Sequence, residues 1–329
     1  MVKPARYLVL FSILFFVGCA AGNRHQTTDT VLMVSPDDFA YNPQTAVSNV
    51  FQHKDAPASE AARLAMAEFD AVVEKMEKEK IRVLRVRSRE DVKTPDAVFP
   101  NNWFSTHRGK TGTAIVVYPM ATPNRRDEIR VDLLESTLRH SGIDLSEVID
   151  LSGYARQGKA LEGTGAMVFD RIHKVAFVSL SPRADRAVLE AFCARLGYRP
   201  VIFHSYDRNA LIYHTNVMMS VGADFAVICS ESIKDPNEKQ MVLDELKGLG
   251  KRIVEISPAQ MGRMCGNVLE LRTTDGKPVI IMSETAHAAF TPDQKAILAG
   301  SGALLPFRIP TIEHIGGGSI RCMVAEIFH

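Results

Sequence analysis

Dense blocks of lysine and arginine are missing from this 329-residue sequence, in which 39 basic side chains stand against 38 acidic ones for a formal charge of +1. Without a basic patch or stripe there is no electrostatic footprint for nucleic acid. Cysteine is scarce too: there are five, with no CxxC pair and no close His/Cys spacing, so no zinc site and no other metal is expected. The apolar run at residues 7–17 is too short for a typical membrane-spanning helix. What the chain does have is apolar material, 46% hydrophobic residues, which is enough for a substantial core.

The first thirty residues, "MVKPARYLVLFSILFFVGCAAGNRHQTTDT", combine a basic start, that apolar run and small residues after it, the pattern of an export signal. "FVGCA" resembles a bacterial lipobox, which makes residues 1–18 a lipoprotein-type signal peptide and Cys19 the acylated first residue of a protein anchored to the cell envelope, on the periplasmic side in a Gram-negative cell. An ordinary cleavable signal peptide or a short anchor is the alternative. Residues 19–30 read as a polar tether, and residues 31–329 as one α/β catalytic domain. Of the remaining cysteines, Cys193 lies on the amphipathic stretch "ADRAVLEAFCARLGY" and Cys229 in the apolar run "FAVICS", places that suit core residues better than disulfides.

The order of elements repeats. "AVFPNNWFS", "TAIVVYP", a helix near "RRDEIRVDLLESTLRHSG" and "EVIDLS" form a unit of two strands, a helix and a third strand. Three further units follow, opened by "GAMVFD", "NVMMSVG" and "NVLELR", with helices over 183–196, 235–249 and "TPDQKAILAGSG". The strand "CMVAEIF" at the C-terminus, joined to "TVLMVSP", a helix over 58–80 and "IRVLRVR" at the N-terminus, makes a fifth. This predicts a fivefold pseudo-symmetric α/β propeller whose fifth blade is closed by both termini; an ordinary mixed α/β sheet is the alternative.

A polar cluster stands at the first strand of each unit: Asn101 in "FPNNW", Glu162 in "LEGTG", His214 in "YHTN", Gly266 in "CGNV" and Cys322 in "SIRCM", at intervals of 61, 52, 52 and 56 residues. Equivalent places in a ring meet at one end of its axis. A cysteine attacks as the thiolate, an imidazole activates it or serves as the acid, and a carboxylate orients the imidazole and favours its charged form. Cys322, His214 and Glu162 are therefore the expected catalytic set, with Cys265 in "RMCGNV" the rival nucleophile. The three glycines before Cys322 suit a close-approach loop.

"LEGTGAMVFDR", "LIYHTNVMM" and "GGGSIRCMVAEI" resemble the carboxylate, histidine and cysteine motifs of the guanidine-modifying, or pentein, superfamily. "VLMVSPDDFAYNPQTAVSNVFQ" and "PDAVFPNNWFSTH" are most similar to its citrulline-utilisation hydrolase, or amidinotransferase-like, branch. The resemblance implies a fivefold α/β propeller, cofactor-free covalent catalysis at a cysteine, and Arg183 as a grip for the substrate's α-carboxylate. Arginine-acting members tend to place carboxylates where this chain has Asn101, Asn102 and Asn216. A guanidinium only donates hydrogen bonds and carries charge, whereas a neutral ureido group donates and accepts, which suits asparagine. Asp96 could restore the missing charge. The expected activity is hydrolysis of a C–N bond of a ureido or guanidino amino acid, with citrulline, giving ornithine, carbon dioxide and ammonia, as first choice. A deiminase on an arginine derivative, an amidinotransferase and a non-catalytic amino-acid-binding lipoprotein are the alternatives.

Overall fold

Short apolar runs separated by amphipathic stretches fold, in the computed structural model, into five three-stranded sheets of one connectivity; residues 25–109 and 111–329 are described. In each sheet the opening strand runs antiparallel to the middle strand, and the middle strand runs parallel to the closing one. Four sheets follow the chain: Phe104–Arg108, Thr113–Val117 and Leu145–Asp150; Val168–Asp170, Val175–Ser179 and Arg199–Phe203; Met219–Val221, Phe225–Ile228 and Arg252–Glu255; Leu269–Arg272, Pro278–Ser283 and Ala303–Phe307. The fifth joins the two ends of the chain, with Ala325–Glu326 antiparallel to Thr30–Val34 and Arg82–Val86 parallel to it.

The sequence accounts for this arrangement locally. Middle strands such as "TAIVV", "VAFVS" and "FAVI" are buried along their whole length, as strands covered on both faces must be. A parallel neighbour requires a crossover, and the helices supply it. The longest, Ala58–Lys78, buries Ala61, Ala65, Phe69, Val72 and Met76, one stripe at helical spacing. The helix Arg186–Leu196 starts where the Asp185 carboxylate accepts from the N–H groups of Ala187 and Val188, and stops at Gly197 in the left-handed region. Neighbouring sheets meet through their opening strands: Phe104–Arg108 lies beside Ala325–Glu326, and Met219–Val221 beside both Val168–Asp170 and Leu269–Arg272.

The expected boundaries change in four places. The tether does not reach residue 30, because Gln26 and Thr28 are buried: the Gln26 amide donates to the carbonyls of Phe169 and Val221, and Thr28 to that of Ile327. Those polar side chains pair with backbone groups that the sheets leave open. The first expected helix is two, Pro123–Arg126 and Val131–His140. "CMVAEIF" contributes only Ala325–Glu326 as strand. The opening strands are shorter than read, because the residues before them form single helical turns such as Pro100–Asn102, Gly163–Ala166 and Thr215–Met218.

The expected signal peptide and Cys19 lie outside the described residues. Among the described residues no helix is long and apolar enough to cross a membrane.

Candidate active site

Those helical turns hold the polar clusters. The turn Gly163–Ala166 packs between Pro100–Asn102 on one side and Thr215–Met218 on the other. Glycine makes the approach possible. A Cβ on Gly165 would stand 2.3 Å from Asn102 Nδ2 and 2.7 Å from His214 Nδ1, and one on Gly266 would stand 2.2 Å from the Val217 carbonyl oxygen. Gly165→Ala should therefore push the imidazole out of register and lower turnover by about 100-fold, measured as kcat against a melting temperature within a few degrees of the parent. Parental kcat in that variant would mean the turns have more room than their spacing implies.

The structure brings Glu162 and His214 together as expected. The Nε2 of His214 lies 2.8 Å from Glu162 Oε2, and both side chains are buried. Glu162 is further held by the Ala121 N–H at 3.0 Å and the Arg183 guanidinium at 3.4 Å. Burial alone would raise the Glu162 pKa, but Arg183 and the imidazole outweigh it, so the carboxylate is held well below its ordinary range. A carboxylate can only accept, so His214 Nε2 carries the proton and Nδ1 the lone pair. The expected charged imidazole is not the resting form. Burial lowers the His214 pKa to about 4, against the raising effect of Glu162, and leaves the ring neutral.

Cys322 is 5% exposed and lies in the turn before Ala325–Glu326. Two side-chain amides point at its sulfur: Asn216 Nδ2 at 3.4 Å and Asn267 Nδ2 at 3.2 Å. The Asn267 amide is fixed in this sense because its Oδ1 accepts from the Arg321 N–H and its Nδ2 also reaches the Asn216 carbonyl. Two N–H donors aimed at sulfur fix its position in the site. The rival, Cys265, is fully buried with its sulfur on the Ala286 carbonyl, and burial pushes its thiol up to about 12; it is a core residue. Cys193 and Cys229 are buried free thiols as well, both raised to about 11 by burial.

The three glycines before Cys322 have distinct tasks. Gly317, at φ +63°, ends the helix Pro310–Gly316, which the sequence reading missed, and Gly316 and Gly318 lie against the Phe99 ring, where a Cβ would come within 2.8 and 2.9 Å.

Among the asparagines, Asn102 accepts from Arg125 Nη1 at 2.7 Å through its Oδ1, so its Nδ2 faces Gly165 and His214 without a protein partner. Asn101 donates to Thr164, and its Oδ1, like that of Asn216, has no protein partner. Arg183 is at the site but is not a free grip. Its guanidinium donates to the Thr45 carbonyl at 2.8 Å and to Ser48 Oγ at 2.7 Å, besides Glu162, and stacks over Tyr213. These partners come from the segment around the helical turn Pro43–Ala46, which starts at Asn42 as N-cap with proline first. Asp96 receives Asn42 and Thr45 on Oδ2, while its Oδ1 is buried without a protein partner. Asn267 and the buried Arg125–Glu128 pair were not singled out from the sequence, and this segment was marked only by its family resemblance, with no residue given a role. Asn267 adjoins Gly266 at an equivalent place in the repeat, and "NPQT" carries the N-cap signature; nothing in the pattern marks Arg125.

The sequence matches the family described as N,N dimethylarginine dimethylhydrolase, eukaryotic, over residues 35–329. No curated protein matches it. Among solved structures, the substrate-bound N-terminal domain of ArgZ, an arginine dihydrolase from cyanobacteria, is similar with a TM-score of 0.68 at 15% identity over 91% of this chain and 98% of that one. AgrE in its complex with L-arginine gives 0.69 at 16% identity, over 91% of this chain and 40% of that one. The dimethylarginine dimethylhydrolase of Pseudomonas aeruginosa, complexed with citrulline, gives 0.61 at 11% identity over 92% and 100%. With a family match across nine tenths of its length, this chain belongs to the N,N dimethylarginine dimethylhydrolase family, and so to the pentein superfamily of guanidino-modifying enzymes, which act on C–N bonds in guanidino compounds.

Proposed function

We propose that the chain cleaves citrulline to ornithine, carbon dioxide and ammonia through a carbamoyl-cysteine intermediate. In this reading the five sheets are blades around one axis, and the helical turns before the opening strands converge at one end of it. The Cys322 sulfur, its proton passed to His214 Nδ1, bonds to the ureido carbon. The bond from that carbon to the ornithine nitrogen breaks, and His214 returns the proton to the departing amine. His214 then takes a proton from water, the hydroxide displaces sulfur, and the released carbamate decomposes. Glu162 holds the imidazole through Nε2, so Nδ1 is free for both transfers.

The observation that carries the choice of a ureido group is the fixed sense of the amides. Arg125 forces Asn102 to present a donor, while Asn101 and Asn216 present acceptors. A neutral group that both accepts and donates satisfies this set, and a guanidinium leaves the donor unmatched. The unpaired, buried Asp96 Oδ1 favours a second reading, a guanidino substrate such as arginine or a methylated arginine. Turnover of citrulline, arginine and dimethylarginine by the purified chain, followed as ornithine, ammonia and amine release, separates them. Citrulline should be preferred by about 100-fold or more in kcat/KM; a preference for either guanidino substrate overturns the ureido reading.

The export signal and Cys19 complete the proposal with a lipid anchor at the cell envelope. Cys19→Ala should move the mature chain from the detergent phase to the aqueous phase on partitioning. Equal partitioning of variant and parent would remove the anchor.

A further inference from the structure

The segment that occupies Arg183 also carries a second cluster, outside the catalytic site. Beyond Ser48 it runs along the helix Pro310–Gly316, where Asn49 and Gln52 donate to the carbonyls of Gly316 and Gly317 and the His53 N–H donates to the His314 carbonyl at 3.0 Å. The His53 and His314 rings stack with centroids 4.4 Å apart, and His314 Nε2 lies 2.5 Å from Asp55 Oδ2. One ligand atom from each of His53, Asp55 and His314 falls within 4.8 Å of the others, and all three residues are exposed. Among the described residues this is the one such convergence of three metal-ligating side chains.

Two imidazoles and a carboxylate are a donor set for a borderline divalent ion, and three protein ligands leave a position for water. Bonds of about 2.1 Å in a tetrahedron put ligand atoms about 3.4 Å apart. Exposed side chains are free to rotate towards that spacing, and the bond from the His53 N–H to the His314 carbonyl already holds the two backbones together.

The position gives the ion something to do. His53 and Asp55 belong to the segment whose Thr45 and Ser48 hold Arg183; His314 stands two residues before the glycines that lead to Cys322. Cys322 and His214 are only 5% and 3% exposed, so the residues around them govern access to the site. The segment's hold on Arg183 is polar and Val47 and Val50 are exposed, while Tyr41, Phe51 and Ala56 pack against the core on either side, so its middle is the part suited to move. We propose that His53, Asp55 and His314 bind a divalent transition-metal ion of the zinc type, and that the bound ion fastens this segment over the site and slows turnover.

The test uses zinc with the full-length chain and has two arms. For binding, calorimetry is done in a Cys322→Ser background, so that the catalytic thiol is not a ligand. One ion per chain is expected, weakened by roughly tenfold or more in His314→Ala and in His53→Ala. Unchanged affinity in both variants overturns the site. For turnover, zinc should slow the parent, a chelator should restore it, and His314→Ala, active without zinc, should be spared. Equal inhibition of parent and His314→Ala, or of neither, overturns the fastening role. The binding arm does not depend on which substrate the enzyme uses.

Discussion

Cys322→Ser should lower kcat on the preferred substrate by about 10⁴-fold or more, the size of effect seen when a nucleophile is removed from a set that acts as a unit. The reason lies in the two amides at 3.2 and 3.4 Å from sulfur. They hold the sulfur in place for attack, whereas serine puts a hydroxyl, a much weaker nucleophile than a thiol, at the same point. Serine is close in size to cysteine, so the melting temperature should stay within a few degrees. Single-turnover experiments on parent and variant, with mass spectrometry of the parent to detect a carbamoyl or amidino adduct on Cys322, measure both steps. Residual activity above about one per cent would transfer the nucleophile to another group. A parent that binds citrulline yet forms no adduct and no product would favour the amino-acid-binding alternative.

Deleting residues 322–329 should unfold the chain, beyond inactivating it. Met323, Val324 and Ile327 are fully buried and Phe328 is nearly so, and each contributes about 1.5–3 kcal/mol of apolar burial. The segment also accepts hydrogen bonds at Glu326 from Thr106, at Ile327 from Thr28 and at Phe328 from Thr113, so its loss leaves polar groups of three other segments unpaired. The buried Arg321, which pairs with Glu326 at 2.8 Å, would be left as an uncompensated charge, a cost of about 3–5 kcal/mol. Together these losses are comparable to the whole stability of a typical domain. Circular dichroism and melting of the truncated chain decide the matter: a cooperative transition near the parental temperature would mean that the fifth sheet is held without its last strand.

Both expectations were legible in the sequence because the repeat of elements located the C-terminal strand and the cysteine together. Strand and helix identities followed from runs such as "TAIVV" and from the 3.6-residue stripe of Ala61, Ala65, Phe69 and Val72. The site was legible in its triad of residue types, but not in its details. A helical turn of three or four residues, such as Thr215–Met218, is too short to show a period, so the opening strands were read as longer than they are. The charge state of His214 is set by burial, a property of the assembled turns and not of "YHTN". Arg183 was assigned to a substrate carboxylate by resemblance, whereas Thr45 and Ser48, more than 130 residues away in sequence, occupy it. Asn267 was passed over for its neighbour Gly266; its role emerges only from the convergence of its amide on the Cys322 sulfur.

The pairing of Val31 with Glu326 also sets the first described strand beside the last, so the order in which the chain enters and leaves the fifth sheet is free to change. His329 Nε2 and Asp29 Oδ1 are 3.8 Å apart, so a short linker spans the gap, while the turn at Asp275 and Gly276, exposed and at φ +85°, is a place where the chain tolerates new ends. A circular permutant opened there would convert the fifth sheet from a long-range closure into a local one. Folding should then be limited by the fourth sheet instead, where the permuted chain has its longest loop to close.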